Sequence, residues 1–213
     1  AERSPVSPIH FSPSFVRRGQ GEVEPNLPHP NPPLISQRLI RLWRTKGREK
    51  PLIIIGQLSA EERKRALPFL LRWKVPMVAE ALSGLRENSV LQDRLILSGE
   101  KILEEGTFDS VIRIGNVPTL RFWRDLGQKF KHLPVSVFSA LPFSGLGREN
   151  VEVYDLSAIE SLPKWDCVPS QGVCDPLLKR DRELYQQRLK KWEGEPKTEP
   201  GIFYQLSKII PKG

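Results

Sequence analysis

The sequence predicts an α/β fold: an open, mostly parallel, Rossmann-like sheet of five to six strands with helices on both faces, plus an extended N-terminal arm and a helical C-terminal linker. Three observations lead there. Short apolar runs recur along the chain with stretches of helical periodicity between several of them, as parallel crossovers require. The runs are almost continuously apolar instead of alternating, which suits strands covered on both faces. Glycine or proline punctuates the turns that follow.

The elements follow in order. Residues 1–33 hold eight prolines and end in "NLPHPNPP", so they form neither a continuous helix nor a central strand. They read as a Pro-rich arm or interdomain linker. A first helix is expected over 36–46, then a strand at "LIIIG" (52–56) and a helix over 60–72. Further strands are expected at "VPMVAE" (75–80), "SVIRIG" (110–115), "PVSVFS" (134–139) and "VEVYD" (151–155), with a helix over 119–131. These elements make an α/β domain over 34–174.

Residues 175–213 read as a helical linker. A basic helix places Leu178, Tyr185, Leu189 and Trp192 close to one face and its charges on a solvated one. "GEPKTEP" breaks it, and "GIFYQLSKIIPKG" makes a short helix with Phe203, Leu206, Ile209 and Ile210 on its apolar side. The chain starts without methionine and stops where a further strand is expected, so it reads as a piece cut from a longer one.

Composition narrows the classes of function. No run approaches the ~18 apolar residues of a spanning helix, and "AERSPVSPIH" lacks the apolar core of a secretory leader. Cys167 and Cys174, with six residues between them, match neither zinc nor redox spacing and read as reduced thiols, so a cytoplasmic location is expected. The net charge of +8 is concentrated in residues 38–50 and 179–191, both with helical spacing. No zinc-finger, RNA-sheet or KH-type signature accompanies it. A basic nucleic-acid-associated protein and a free-standing interaction or regulatory module both remain open as alternatives.

"PLIIIGQLSAEE" (51–62) raises the question of a phosphate site, because a strand, a glycine turn and a helix start follow one another. Gly56 stands alone there, however, without the further glycines of a dinucleotide fingerprint or the lysine of a phosphate loop. Ser59 and Glu62 have capping-box spacing, and with Glu61 they place carboxylates where a phosphate would sit. The turn therefore reads as architecture.

Three other glycine-containing turns follow strands, where open parallel sheets collect binding residues: "ALSGLREN", "RIGNVPTLRFWRDL" and "PFSGLGREN". They bring Arg86, Arg121 and Arg148 forward as candidate ligands for carboxylates, whose geometry matches the guanidinium fork. The competing reading is that each arginine caps a loop or pairs on the surface.

In that order, "IIIGQLSAEE", "VAEALSGLREN" and "VIRIGNVPTLRFWRDL" resemble the central domain of the thiamine-diphosphate-dependent 2-succinyl-5-enolpyruvyl-6-hydroxy-3-cyclohexene-1-carboxylate synthases. The resemblance covers residues 50–150, and "EPGIFYQLSKIIPKG" is similar to the helix leading into that family's cofactor-pyrophosphate domain. It implies an enzyme of menaquinone or phylloquinone biosynthesis that joins 2-oxoglutarate to isochorismate with loss of carbon dioxide, using thiamine diphosphate and magnesium. It implies a homo-oligomer when full length, built mainly by the flanking pyrimidine- and pyrophosphate-binding domains. Arg121 matches the family's basic residue at the isochorismate site, while Phe122 stands where a second basic residue often follows. Arg86 and Arg148 lie in family-like loops without an assigned role. The sequence contains no Gly-Asp-Gly segment and no pyrimidine-binding domain, so this chain alone is expected to bind no cofactor or metal and to be inactive.

Overall fold

The computed structural model describes residues 50–160 and 175–210. The helix expected over 36–46, most of the basic stretch 38–50 and both cysteines lie outside these residues. Five strands form one parallel sheet: β1 (Pro51–Ile55), β2 (Met77–Ala79), β3 (Ser110–Ile114), β4 (Val135–Phe138) and β5 (Val151–Tyr154), in spatial order β2-β1-β3-β4-β5. The chain first moves outward from β1 to β2, then returns across β1 to lay down β3, β4 and β5. The order therefore reverses between β1 and β3, the switch point where open sheets of this kind leave a crevice.

The register explains the two cores. Ile53 and Ile55 pair with Ile112 and Ile114, and their side chains share one face with Ala66, Phe69 and Leu70 of α1 (Ala60–Arg72). Leu52, Ile54, Val111, Val135 and Val137 point to the other face. There they meet Phe122 and Trp123 of α2 (Arg121–Asp125), and Ile102 and Leu103 of a 3-10 turn over Glu100–Glu105. A strand buried on both faces needs apolar residues at every position, which is why β1 reads "PLIII".

Two boundaries differ from the sequence reading, each for a local reason. β2 is confined to Met77–Ala79 because Pro76 has no N–H to give, although its carbonyl accepts from Ile53. Outside β2, Leu95 bridges to Met77 in parallel, a partial sixth rung beyond the five strands. The helix expected over 119–131 lasts only from Arg121 to Asp125. Gly127 weakens its continuation, and the Asp125 carbonyl collects the N–H groups of Gln128, Lys129 and Phe130 as the chain winds into turns.

The helical pair α3 (Asp175–Gly194) and α4 (Glu199–Ile209) corrects the picture of a wholly solvated charged face. Asp181 is completely buried and accepts the N–H groups of Leu97 at 3.0 Å and Ser98 at 2.8 Å. Arg182 donates to the carbonyls of Leu95 and Gln92, and Arg188 to that of Ser98. Together with Leu177, Leu178 and Leu184, which pack on the core, these charges dock α3 onto the segment that flanks β2. Charge-assisted bonds to backbone groups are the stronger class, so this seam is specific as well as adhesive.

In α4, Thr198 caps the first turn by accepting from Gly201 N–H, and Gly201 is required by the close approach of the chain. A Cβ there would stand 2.1 Å from the Glu195 carbonyl oxygen. Tyr204 packs on Trp192, and Lys208 pairs with Glu193 at 3.1 Å. The opposite side of α4 leaves Ile202, Phe203, Leu206, Ile209 and Ile210 exposed.

Candidate functional site at the carboxyl edge of the sheet

The switch point between β1 and β3 is filled by main chain. Gly56 N–H donates to the Ile114 carbonyl and Asn116 N–H to the Gln57 carbonyl, so the two turns are laced together. A Cβ on Gly56 would lie 2.2 Å from the Asn116 carbonyl oxygen, which explains the glycine without any ligand. Gly115 has φ +88 and a Cβ there would meet the Gln57 oxygen at 2.6 Å. At the start of α1, Glu62 N–H donates to Ser59 Oγ and Ser59 N–H to Glu62 Oε2, the expected capping box. These residues do not fit a diphosphate: the turn has no room and the helix start already holds carboxylates. Among the described residues, no group of three or more His, Cys, Asp or Glu side chains could hold a metal ion.

A polar cleft opens between α2 and the 3-10 turn over Glu100–Glu105. Arg121, the first residue of α2, lines this cleft of about 420 Å³ with Glu100, Lys101, Glu104, Phe122 and Lys129. Its side chain is 67% exposed, and Asp125 Oδ2 lies 3.8 Å from its Nε. That carboxylate is bonded more closely to Lys129, at 2.9 Å, and the Lys129 hydrogen bond foremost holds Asp125 below the usual carboxylate range. Counting Asp125, three cations meet three carboxylates here, and most of the Arg121 side chain is exposed.

The turn that carries Arg121 is held from two sides. Glu80, one residue beyond β2, accepts Thr119 N–H at 2.6 Å and Thr119 Oγ1–H at 2.7 Å through the same oxygen. Glu100 Oε2 accepts Phe122 N–H at 3.0 Å. The residue that would cap α2 from within, Leu120, has no acceptor to offer.

The other candidate arginines are placed differently. Arg86 is exposed on the turn after β2, on the same edge as Arg121 but outside the cleft lining. Arg148 lies at the opposite, amino-terminal end. It donates to the carbonyls of Phe130, Lys131 and Leu133, at 3.1, 2.9 and 2.6 Å, on the segment entering β4. The structure therefore does not bring the three arginines to one edge. The turn over 142–150 starts at the carboxyl edge but must cross to the amino edge to begin β5, and it carries Arg148 with it.

A fourth arginine was not singled out by the sequence. Arg113, in the middle of β3, is fully buried. It donates to the Ser144 carbonyl at 2.6 Å and the Phe143 carbonyl at 2.8 Å, and lies 5.3 Å from the centre of the Trp123 ring. Burial lowers its pKa to about 10. It pins the loop after β4, where Leu141 and Phe143 are exposed, as are Val117 after β3 and Leu82 after β2. The signal was a lone charge in an apolar strand.

The fold and this edge define an open, doubly wound parallel α/β domain with a polar cleft along α2 and exposed apolar side chains on the turns at its carboxyl edge. No protein-family model matches the chain. It is 38% identical over 220 residues to 2-succinyl-5-enolpyruvyl-6-hydroxy-3-cyclohexene-1-carboxylate synthase of Bdellovibrio bacteriovorus, covering 94% of this chain and 40% of that protein. It is 35% identical over 156 residues to the protein of the same name from Akkermansia muciniphila, covering 71% of this chain and 28% of that one. The chain thus spans well under half the length of these relatives, and it resembles the central domain of that synthase.

Proposed function

We propose that this chain is the central domain of a thiamine-diphosphate-dependent carboligase that joins 2-oxoglutarate to isochorismate with loss of carbon dioxide, in menaquinone or phylloquinone biosynthesis. The observation that carries the reading is Arg121: a largely exposed guanidinium lining a polar cleft, in the stretch "RIGNVPTLRFWRDL" that resembles the synthases. Isochorismate carries two carboxylates, and a planar fork binds such a group bidentately. Lys101 and Lys129 add charge around the same opening, and Arg86 on the neighbouring turn is a further, more distant candidate. Arg148 has no part in this role, because its donors serve main-chain carbonyls.

In this reading the domain orients one substrate and braces its neighbours, and alone it is inactive. Thiamine diphosphate, when bound, supplies the electron sink, and it belongs with magnesium to the flanking domains. The exposed apolar side chains of Leu82, Val117, Leu141 and Phe143, and the bare face of α4, are the surfaces such domains would cover. Among the described residues no helix is long and apolar enough to cross a membrane; on the resemblance to the synthases alone, we put the intact enzyme in the cytoplasm as a homo-oligomer.

The test is Arg121→Ala in the intact synthase containing this chain. The expected outcome is an isochorismate KM raised roughly tenfold or more, the loss of a charge-assisted contact, with thiamine diphosphate affinity unchanged. Unchanged isochorismate kinetics remove Arg121 from the site. An immunoblot of the source cells gives an independent check: a species more than twice the size of this chain is expected, and one of the same size sinks the reading.

A further inference from the structure

We propose that Glu80 is a positioning residue for Arg121, acting through Thr119; this rests on the reading of Arg121 as substrate-facing. The β3–α2 turn has little of its own to hold it. It contains Pro118, which has no N–H, and it ends on Leu120, whose side chain cannot cap the helix. α2 is only five residues long, too short to be stable without outside support.

Two carboxylates from distant segments supply that support. Glu80 Oε1 receives both the N–H and the hydroxyl of Thr119, two residues before Arg121, at 2.6 and 2.7 Å. Glu100 Oε2 receives the N–H of Phe122, one residue after it, at 3.0 Å. Arg121 is bracketed on both sides while its own side chain stays outside the bracket.

Glu80 is the better anchor of the two. Its N–H donates to the Ile55 carbonyl at 3.0 Å, so its backbone extends the β1–β2 ladder by one rung. Its side chain then reaches past the β1 turn to the turn after β3, tying together the elements on both sides of the switch point. Two hydrogen bonds to one carboxylate oxygen fix the backbone at Thr119 far better than one, and the geometry passes along two peptide units to Arg121. Glu80 makes no ion pair with Arg121 among the described residues, so it does not neutralise the charge it positions.

The experiment pairs hydrogen exchange on this chain with kinetics on the intact synthase. In Glu80→Ala, amide exchange over residues 116–124 should quicken by roughly tenfold or more, while 110–114 keeps its protection, because local opening frees only the turn. In the synthase, Glu80→Ala should raise the isochorismate KM roughly tenfold and leave the 2-oxoglutarate KM unchanged, with Glu80→Gln restoring most of the loss. Added to Arg121→Ala, it should have no further effect, since both act through one contact. Unaltered exchange over 116–124 overturns the brace whatever Arg121 binds. Faster exchange with an unchanged isochorismate KM, or an effect additive with Arg121→Ala, overturns the positioning role. A silent Arg121→Ala overturns the substrate reading itself and takes the positioning role with it.

Discussion

Buried and exposed arginines in this domain are used in opposite ways. Arg113, in β3 and reaching the loop after β4, and Arg148, at the amino end, direct their donors at five main-chain carbonyls between them, and burial depresses the pKa of both. Neither has a carboxylate partner among the described residues, and in each the Nε is buried without an acceptor. At the carboxyl edge Arg121 is mostly exposed: Glu80 and Glu100 grip the backbone around it, and Asp125 reaches only its Nε, at 3.8 Å. A guanidinium surrounded by carbonyls is a pin for irregular chain, because it satisfies acceptors that no ladder reaches. One whose neighbours are held by other groups keeps its fork available. Residue type is the same in both places, and the difference lies in what already occupies the donors.

That contrast is broken most sharply at Arg113. Arg113→Ala removes a large, fully buried side chain and both donors to the 143–144 loop, and is expected to cost roughly 3–5 kcal/mol, as for other large-to-small core changes. Arg113→Met keeps much of the volume while removing a desolvated cation, so its stability should stay within about 1.5 kcal/mol of the parent. The loop over 141–147 should nevertheless exchange faster in both variants. Urea unfolding measures the first pair of outcomes and hydrogen exchange the third. A cost for Arg113→Met as large as for Arg113→Ala would show that the pinned carbonyls, not the filled volume, dominate.

Arg148→Ala comes next, with an expected loss of roughly 1–3 kcal/mol, since the Lys131 carbonyl turns to water while the buried Leu133 segment loses its donor. Activity of the intact synthase at a temperature well below unfolding should be unaffected. Arg121→Ala should do the reverse, moving stability by no more than about 0.5 kcal/mol while isochorismate kinetics suffer. An Arg121 variant that unfolds the domain would erase the distinction between pinning and substrate-facing arginines.

Much of the frame was legible because it is local. Strands β1, β3, β4 and β5 announced themselves as apolar runs, and Ser59 with Glu62 announced the start of α1. What escaped is nonlocal. Glu80 meets Thr119 across 39 residues and Arg113 meets Phe143 across 30, spacings with no periodic signature. The charges on α3 looked solvated because helical spacing sorts residues by face without saying what lies opposite, and the partners of Asp181 and Arg182 are more than 80 residues away. The stretch over 89–109 gave no periodic signal, although Leu91 and Leu95 are fully buried there and Glu100 supports α2. Arg148 was misplaced to the carboxyl edge because a turn between parallel strands spans the whole sheet, and sequence does not mark where along it a side chain leaves.

The smallest expected effect concerns the carboxylate nearest Arg121. Asp125 is held below the usual range first by the hydrogen bond from Lys129, then by the charges of Lys129, Arg121 and Arg124. A carboxylate depressed in the folded state contributes stability that is complete above its unfolded value, about 4, and is lost as pH falls through the lower folded value. Thermal unfolding should therefore find Asp125→Asn slightly less stable than the parent above pH 5, with the gap closing as pH falls through the depressed folded value of Asp125. Raised salt should shrink the gap, because the group sits at the surface and its attraction to the three cations is screened. Protonation of Asp125 also removes the one carboxylate near Arg121 Nε, so in the intact synthase Asp125→Asn should leave isochorismate binding unchanged or slightly tighter. A weaker isochorismate KM in that variant would mean that Asp125 aims the arginine, and that the carboxyl edge holds its cation by the side chain after all.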